Sequence, residues 1–444
     1  MRDSPNDLPV RVLPYVVTET LDAPIVVLGG PFRLTGREGS VDSDLVFRWV
    51  PSTAVAFEGP CSDPRVDFED QWAFDLDGPA LSVKVAPTSI SHMPEGKTVR
   101  GVIQEVMSLG TGPLEVLRFS LANFPDYIGE PVRYASSDPV SAMLGRLAVK
   151  SATGECRLDV IPEAKGLRAA SRRESGYVIS HVGEWLPSSG EMTVAEAEAV
   201  TEMLHLWFGL LRGAWAGPLF PQGLVDGEIL WRQIASWKLG ERRQVTTWMP
   251  ELKPLELSGL FSGFQGRWSD DLWREALVYA VSWLMEANSS GTAMESRIVL
   301  AQVALDLLAW VDLVEAQGFY SRTAFDRMRA KGRMHALLGR MGVPIEVPDH
   351  MAELGAFCDA SGFGNGPEVI TWLRNSLVHS SDKKRGEMKS LEGMVWYQCS
   401  QLALQYLELA LLWICGYRGH YARRAFKGSK GEDEVPVPWA DSPA

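Results

Sequence analysis

The stretch TWLRNSLVHSS, Thr371–Ser381, decides how the second half of the chain is read. An apolar helical pattern carries Arg374, Asn375 and His379 and then stops in Ser-Ser-Asp-Lys-Lys. Pro367 suits the first turn of that helix, because its missing N–H would have no partner there. Arg374 and His379 are five positions apart, which on an ideal helix turns their side chains about 140° from each other. They converge only if the helix ends or bends between Ser376 and His379, or if a second copy of the chain brings its own imidazole. The bland alternative is a helix-end Arg with a capping His.

The chemistry such a pair offers is cleavage of RNA without a metal. A base must take the proton of a ribose 2'-OH, an acid must protonate the leaving 5'-oxygen, and a cation must meet the phosphate. His titrates near neutrality and serves as base or acid. Arg presents a planar fork to phosphate oxygens, and Asn375 would hold an oxygen or orient the His. One imidazole supplies one proton-transfer group, so a homodimer is expected to supply both. Lys383, Lys384 and Arg385, just beyond the stop, are the candidate substrate-binding cations. Spacing alone is unspecific: Arg329 and His335, with five residues between them, fall within the same range of four to six and are read as a solvated helix face.

Working outward, the pattern from Ser269 onward is helical. SDDLWREALVYAVSWLMEANSS offers Ser269 as N-cap with acids in the first turn. TAMESRIVLAQVALDLLAWVDLVEA opens with the capping-box pair Thr292 and Glu295. A basic helix is expected over 321–341, a short one after Pro348, and a long apolar one over 389–416. GFGNGP, Gly362–Pro367, lacks the strand and spacing of a dinucleotide fingerprint and reads as a loop. The first half reads differently. PIVVLGG, DLVFRWV, ALSVKVA, VRGVIQEVM, LEVLRFSL and GRLAVK are short, rich in Val, Leu and Phe, and separated by turn residues, as in a sandwich. RLAVKSATGECRLDVI predicts a hairpin. Thr193 and Glu196 cap a helix, and GEILWRQIASW suggests a further helical turn that closes the β unit.

The expected architecture is α+β: a β-rich, sandwich-like N-terminal domain with a helical cap over 1–255, an all-α bundle over 266–425, and a disordered tail over 426–444. Pro250–Phe264 marks the boundary and is too apolar for a free linker. Five scattered Cys without C-x-x-C spacing suit reduced thiols. His92, His181 and His205 lack metal spacing, and no metal or cofactor is expected. MRDSPNDLPV holds no apolar signal core. Leu402–Tyr417 is interrupted by Gln405 and Glu408 and is too short for a span. A cytoplasmic location without membrane contact is therefore expected.

The net charge of -13 is uneven. Residues 267–430 carry 19 Lys and Arg against 18 Asp and Glu, so the acidity lies in the first half and the tail. Basic runs at Arg327–Arg333, Lys383–Arg385 and Arg423–Lys430 are where a phosphate backbone would be met.

WLRNSLVHSS resembles the Arg-Asn-x-x-x-His signature of the HEPN superfamily, helical bundles of prokaryotic defence, toxin and RNA-processing proteins. The helical pair before it, YAVSWLMEANSSGTAMESRIVLAQVALDLLAW, is similar to the first helices of HEPN domains in ApeA-like antiphage proteins. The β-rich half closing in GPLFPQGLVDGEILWRQIASW is similar to their N-terminal domain. The resemblance implies a metal-independent endoribonuclease of antiphage, abortive-infection defence that leaves a cyclic phosphate and a 5'-hydroxyl. RNA, tRNA among the candidates, would be the substrate, a homodimer the assembly and a phage-derived molecule the trigger. Arg374 would bind the scissile phosphate, His379 would be base or acid, and Asn375 would support them. Asp306 matches a further acidic member, with Glu295 second. Ser381 stands where some HEPN toxins carry Tyr. The alternative reading is a non-catalytic HEPN-like binding or scaffold protein with a ligand-sensing β domain.

Overall fold

The computed structural model describes residues 8–35, 39–63, 67, 72–76, 81–93, 96–133, 142–240, 242–243, 245–379, 381–426 and 431–441. Turn residues cut the first half into short antiparallel strands, and these form two eight-stranded sheets. The first holds β1 (Ile25–Leu28), β2 (Phe32–Leu34), β3 (Ser40–Val41), β4 (Leu45–Arg48), β5 (Ala54–Cys61), β6 (Trp72–Leu76), β7 (Leu81–Met93) and β8 (Gly96–Ile103). Because β8 pairs back onto β5, the strands β5-β3-β2-β6-β7-β8 close a ring, with β4 and β1 as an outward extension. Closure removes most of the exposed edge such a sheet would present.

The second sheet holds β9 (Met107–Gly110), β10 (Val116–Ala122), β11 (Glu130–Arg133), β12 (Ala142–Lys150), β13 (Gly154–Val160), β14 (Ile179–Pro187), β15 (Leu219–Val225) and β16 (Glu228–Ile234), in the order 11-12-13-14-10-15-16-9. The expected hairpin is β12–β13. Residues of this sheet belong to two cores. Ala122, Ile179, Val182 and Leu219 join the core of the first sheet, while Leu117, Phe119, Leu158 and Trp185 join the core of the helices. Covered on both faces, β14 is buried at six of its nine positions and loses the alternation of a one-sided strand.

The helices are α1 (Lys165–Glu174), α2 (Val194–Arg212), α3 (Leu257–Trp268), α4 (Asp271–Asn288), α5 (Met294–Trp310), α6 (Arg322–Arg327), α7 (Ala330–Arg340), α8 (Ala352–Ser361), α9 (Gly366–Val378), α10 (Asp382–Lys389) and α11 (Gly393–Ile414). α2 starts with the expected capping box. Its Phe208 meets Phe119 of the sheet, and its Trp207 meets Phe261 and Phe264 of α3. The segment read as a boundary is α3 itself, with Leu257, Leu260, Phe261 and Phe264 fully buried. Its Gly263 approaches the Cys415 carbonyl so closely that a Cβ would lie 1.8 Å from the oxygen. The chain as a whole is thus α+β, a β-rich region followed by a helical one, and one hydrophobic core runs from the second sheet into the bundle.

Several local expectations are corrected. GEILWRQI is strand β16, because Trp231 pairs opposite Gly110 and is fully buried. Asp270, not Ser269, caps α4. Thr292 donates to the Glu286 carbonyl at 2.7 Å instead of capping, and α5 begins after Ala293 without a side-chain cap. The basic helix breaks at Met328, whose extended backbone separates α6 from α7. The tail is ordered over 431–441. His420–Ala422 (β17) pairs with Glu434–Pro436 (β18), and Trp439 is buried with its indole N–H donating to the Tyr417 carbonyl at 2.6 Å. Residues 427–430 and 442–444 of that expectation lie outside the described residues.

Arg424, read as part of a basic run where a phosphate backbone would be met, is fully buried. Its guanidinium donates to both Glu408 oxygens at 2.7 Å and to Gln401 and Asn288 at 3.0 Å, while Gln405 accepts from its backbone N–H. The polar residues that interrupt the apolar α11 are therefore the cradle of one arginine. Among the described residues, no helix is long and apolar enough to cross a membrane.

Candidate active site

α9 is capped by Asn365, whose side chain accepts from the Glu368 N–H, and carries Pro367 in its first turn. Val369, Ile370 and Leu373 are fully buried against the bundle. That fixes which face Arg374 occupies: half-buried, it lines a cleft of about 440 Å³ between α4, α5, α6, α7 and α9. The same cleft is lined by Gln302, Asp306 and Trp310 of α5, Trp283 of α4, Phe325 of α6 and Arg333 of α7. The sequence-predicted residues Arg374 and Asp306 therefore line one open cleft. Glu295, the second acidic candidate, is not among the lining residues.

Arg374 donates to Asn375 Oδ1 at 3.0 Å. Asp306 Oδ2 accepts from Arg333 at 2.8 Å, and its other carboxylate oxygen has no hydrogen bond among the described residues. Arg333 also lies over the Phe325 ring, 4.7 Å from its centroid. Gln302 is only 4% exposed. Its amide nitrogen donates to Thr371 Oγ1 at 3.3 Å, and its oxygen has no partner among the described residues.

His379 behaves differently. α9 ends at Val378, and His379 leaves the helix with φ -114° and ψ 60°. The helix does stop where the sequence indicates, yet the imidazole is exposed, is absent from the cleft lining and makes no hydrogen bond with Arg374. Within one chain the structure brings Arg374, Asn375 and Asp306 together but not His379.

The three candidate cations sit on α10. Lys384 reaches back to the Asn375 carbonyl at 3.5 Å, a cation at the C-terminal end of α9 that favours the helix dipole. Lys383 lies 3.9 Å from Glu387, and Arg385 pairs with Asp382. The Arg329–His335 pair is not a uniform solvated face: His335 is half-buried and shares a hydrogen bond of 3.0 Å with Asn365, tying α7 to the cap of α9. Arg327 and Arg329 are exposed at the α6–α7 break beside the cleft and have no ion-pair partner among the described residues.

Sequence reasoning missed Gln302, Trp283, Trp310 and Arg333 as cleft residues. Gln302, Asp306 and Trp310 are spaced by four on α5, a stripe the sequence does show. α5 continues into a π-helical turn, Val311–Ala316. Its Asp312 is buried 2.8 Å from Arg340. Burial pushes that carboxyl up, against the pull of Arg340. Such π turns are frequent at functional sites, and this one directly follows Trp310. Elsewhere, His181 and His205 are packed among aromatic rings, and His350 and His420 find partners in the Arg424 carbonyl and Glu256.

The comparisons with known proteins point to one name. Residues 110–245 match the YopA central domain and residues 270–434 match the YopA C-terminal domain. Neither match carries a HEPN or ApeA description, so that resemblance stands on the residue pattern alone. No solved structure matches. The chain is 23% identical over 418 residues to the SPbeta prophage-derived uncharacterized protein YopA of Bacillus subtilis (strain 168), a similarity covering 91% of this chain and 92% of that protein.

Proposed function

We propose that the helical half is a metal-independent endoribonuclease that works as a homodimer. The observation that carries this reading is the shared cleft: Arg374, held by Asn375, opens onto the same space as Asp306. Arg374 would hold the scissile phosphate through its fork. An imidazole takes the 2'-OH proton as that oxygen attacks phosphorus, and a second returns a proton to the departing 5'-oxygen. The products are a 2',3'-cyclic phosphate and a 5'-hydroxyl. Since His379 stands exposed at the helix end, the partner copy would bring it to the cleft. A prophage-encoded relative fits a setting of conflict between phage and host, where such an enzyme would end an infection and the acidic β-rich half would hold a phage-derived trigger.

The test is incubation of wild type, Arg374→Ala and His379→Ala with total RNA in EDTA. Cutting by wild type alone supports the reading; equal cutting by all three overturns it. The exposed His379, apart from the cleft, also favours a second reading: a binding or scaffold protein whose cleft holds a ligand without cutting it. Binding of RNA without cleavage by any of the three proteins would select it.

A further inference from the structure

We infer that the cleft beside Arg374 is a guanine-reading subsite for single-stranded RNA, an inference that rests on the nuclease reading above. Three observations carry it. The first is the amide of Gln302, which is 4% exposed, lines the cleft and keeps one polar atom without a partner. A buried polar atom of this kind is costly unless something pairs with it. The second is Asp306, one helical turn further on and on the same face, with a carboxylate oxygen left free by Arg333. The third is the pair of half-buried indoles, Trp283 and Trp310, which offer ring surface in the same space.

With its nitrogen engaged by Thr371, Gln302 keeps in the cleft wall an acceptor oxygen that has no partner among the described residues. Asp306 presents another. The cleft thus offers two neighbouring acceptors and aromatic faces, and it asks for a flat ring with two neighbouring donors. Guanine, through N1–H and its exocyclic N2–H, is the standard RNA base with that edge. Adenine and cytosine each offer one amino group beside an acceptor nitrogen, and uracil offers one N–H between two carbonyls. Stacking on the indoles holds any base, so the acceptor pair supplies the choice among them. Arg374, at the rim of the same cleft, then meets the adjoining phosphate, and the guanosine lies next to the bond to be cut.

The experiment uses the full chain carrying His379→Ala, so that RNA is bound without being consumed. Uridine octamers containing one guanosine, one adenosine or neither are titrated, with tryptophan fluorescence as the readout. The guanosine octamer is expected to bind at least about tenfold more tightly than the other two. Adding Gln302→Leu, close in size, is expected to bring all three within about threefold. Equal affinities in the His379→Ala protein, no binding of any octamer, or a preference that survives Gln302→Leu would each overturn the subsite. The preference of the His379→Ala protein needs no cleft variant, so it decides even if adding Gln302→Leu impairs folding. Cleavage of the same octamers by wild type separates the two readings. Guanine preference without cutting removes the nuclease and leaves the subsite; cutting without preference does the reverse.

Discussion

Arg333 Nη1 donates to Asp306 Oδ2 across 2.8 Å, joining α7 to α5 over the floor of the cleft. The pair is partly open, with side chains 21% and 37% exposed, so it contributes under about 1 kcal/mol to stability. Its consequence is positional: one Asp306 oxygen is taken by Arg333 and the other has no hydrogen bond among the described residues. Arg333→Gln is expected to leave the urea unfolding midpoint nearly unchanged while lowering RNA cleavage about tenfold. A large loss of stability with unchanged cleavage would contradict this role.

Arg374 touches the cleft and one neighbouring side chain, Asn375. Arg374→Ala is expected to lower cleavage by about 10²–10³ with the fold intact by circular dichroism. Arg374→Lys should recover only part of it, since an ammonium lacks the planar fork.

Each cut needs two imidazoles, so a dimer with a single His379 is expected to be inactive. Wild type mixed with an equal amount of His379→Ala, after subunit exchange, should keep about a quarter of the cleavage of an all-wild-type sample, because only about a quarter of the dimers hold both imidazoles. Cleavage of about half would show that one imidazole suffices and contradict the shared site.

The Arg424–Glu408 pair is enclosed on every side, with side chains 0% and 1% exposed. Removing one partner leaves a buried charge alone, so Arg424→Ala is expected to cost about 3–5 kcal/mol in chemical denaturation. Replacing both, Arg424→Met with Glu408→Leu, should cost distinctly less. Ending the chain after Phe426 removes β18 and Trp439 and is expected to cost about 3 kcal/mol, whereas a disordered tail would cost nothing.

Burial holds His205 down to about 4, stacked 5.3 Å from Trp215, and holds His181 well below its ordinary value. In the unfolded chain both take a proton below about pH 6.5. The unfolded state therefore binds more protons between about pH 6.5 and 4, and stability present above 6.5 falls as the medium is acidified through that window. Each imidazole contributes at most about 1.4 kcal/mol per pH unit. His205→Gln should flatten the dependence of unfolding free energy on pH between 7 and 5; an unchanged slope would refute the assignment.

The sequence by itself determined what neighbours in the chain decide. The strands of the first half, the β12–β13 hairpin, the Thr193–Glu196 capping box and the stop of α9 after Val378 all depend on residues within a turn or a strand of one another. What it could not decide needed partners from far along the chain. Trp231 lies on a strand because Met107–Gly110 lies beside it, and local pattern alone favoured a helix there. Arg424 is a core residue because α11 offers Glu408, Gln401 and Gln405 to receive it. Gln302 is an ordinary amide on an apolar helix until α9 closes over it and engages its nitrogen, leaving its oxygen buried without a partner among the described residues. Burial of a polar group depends on which distant surfaces meet, and only the folded chain fixes which charges are sheltered and which face the cleft.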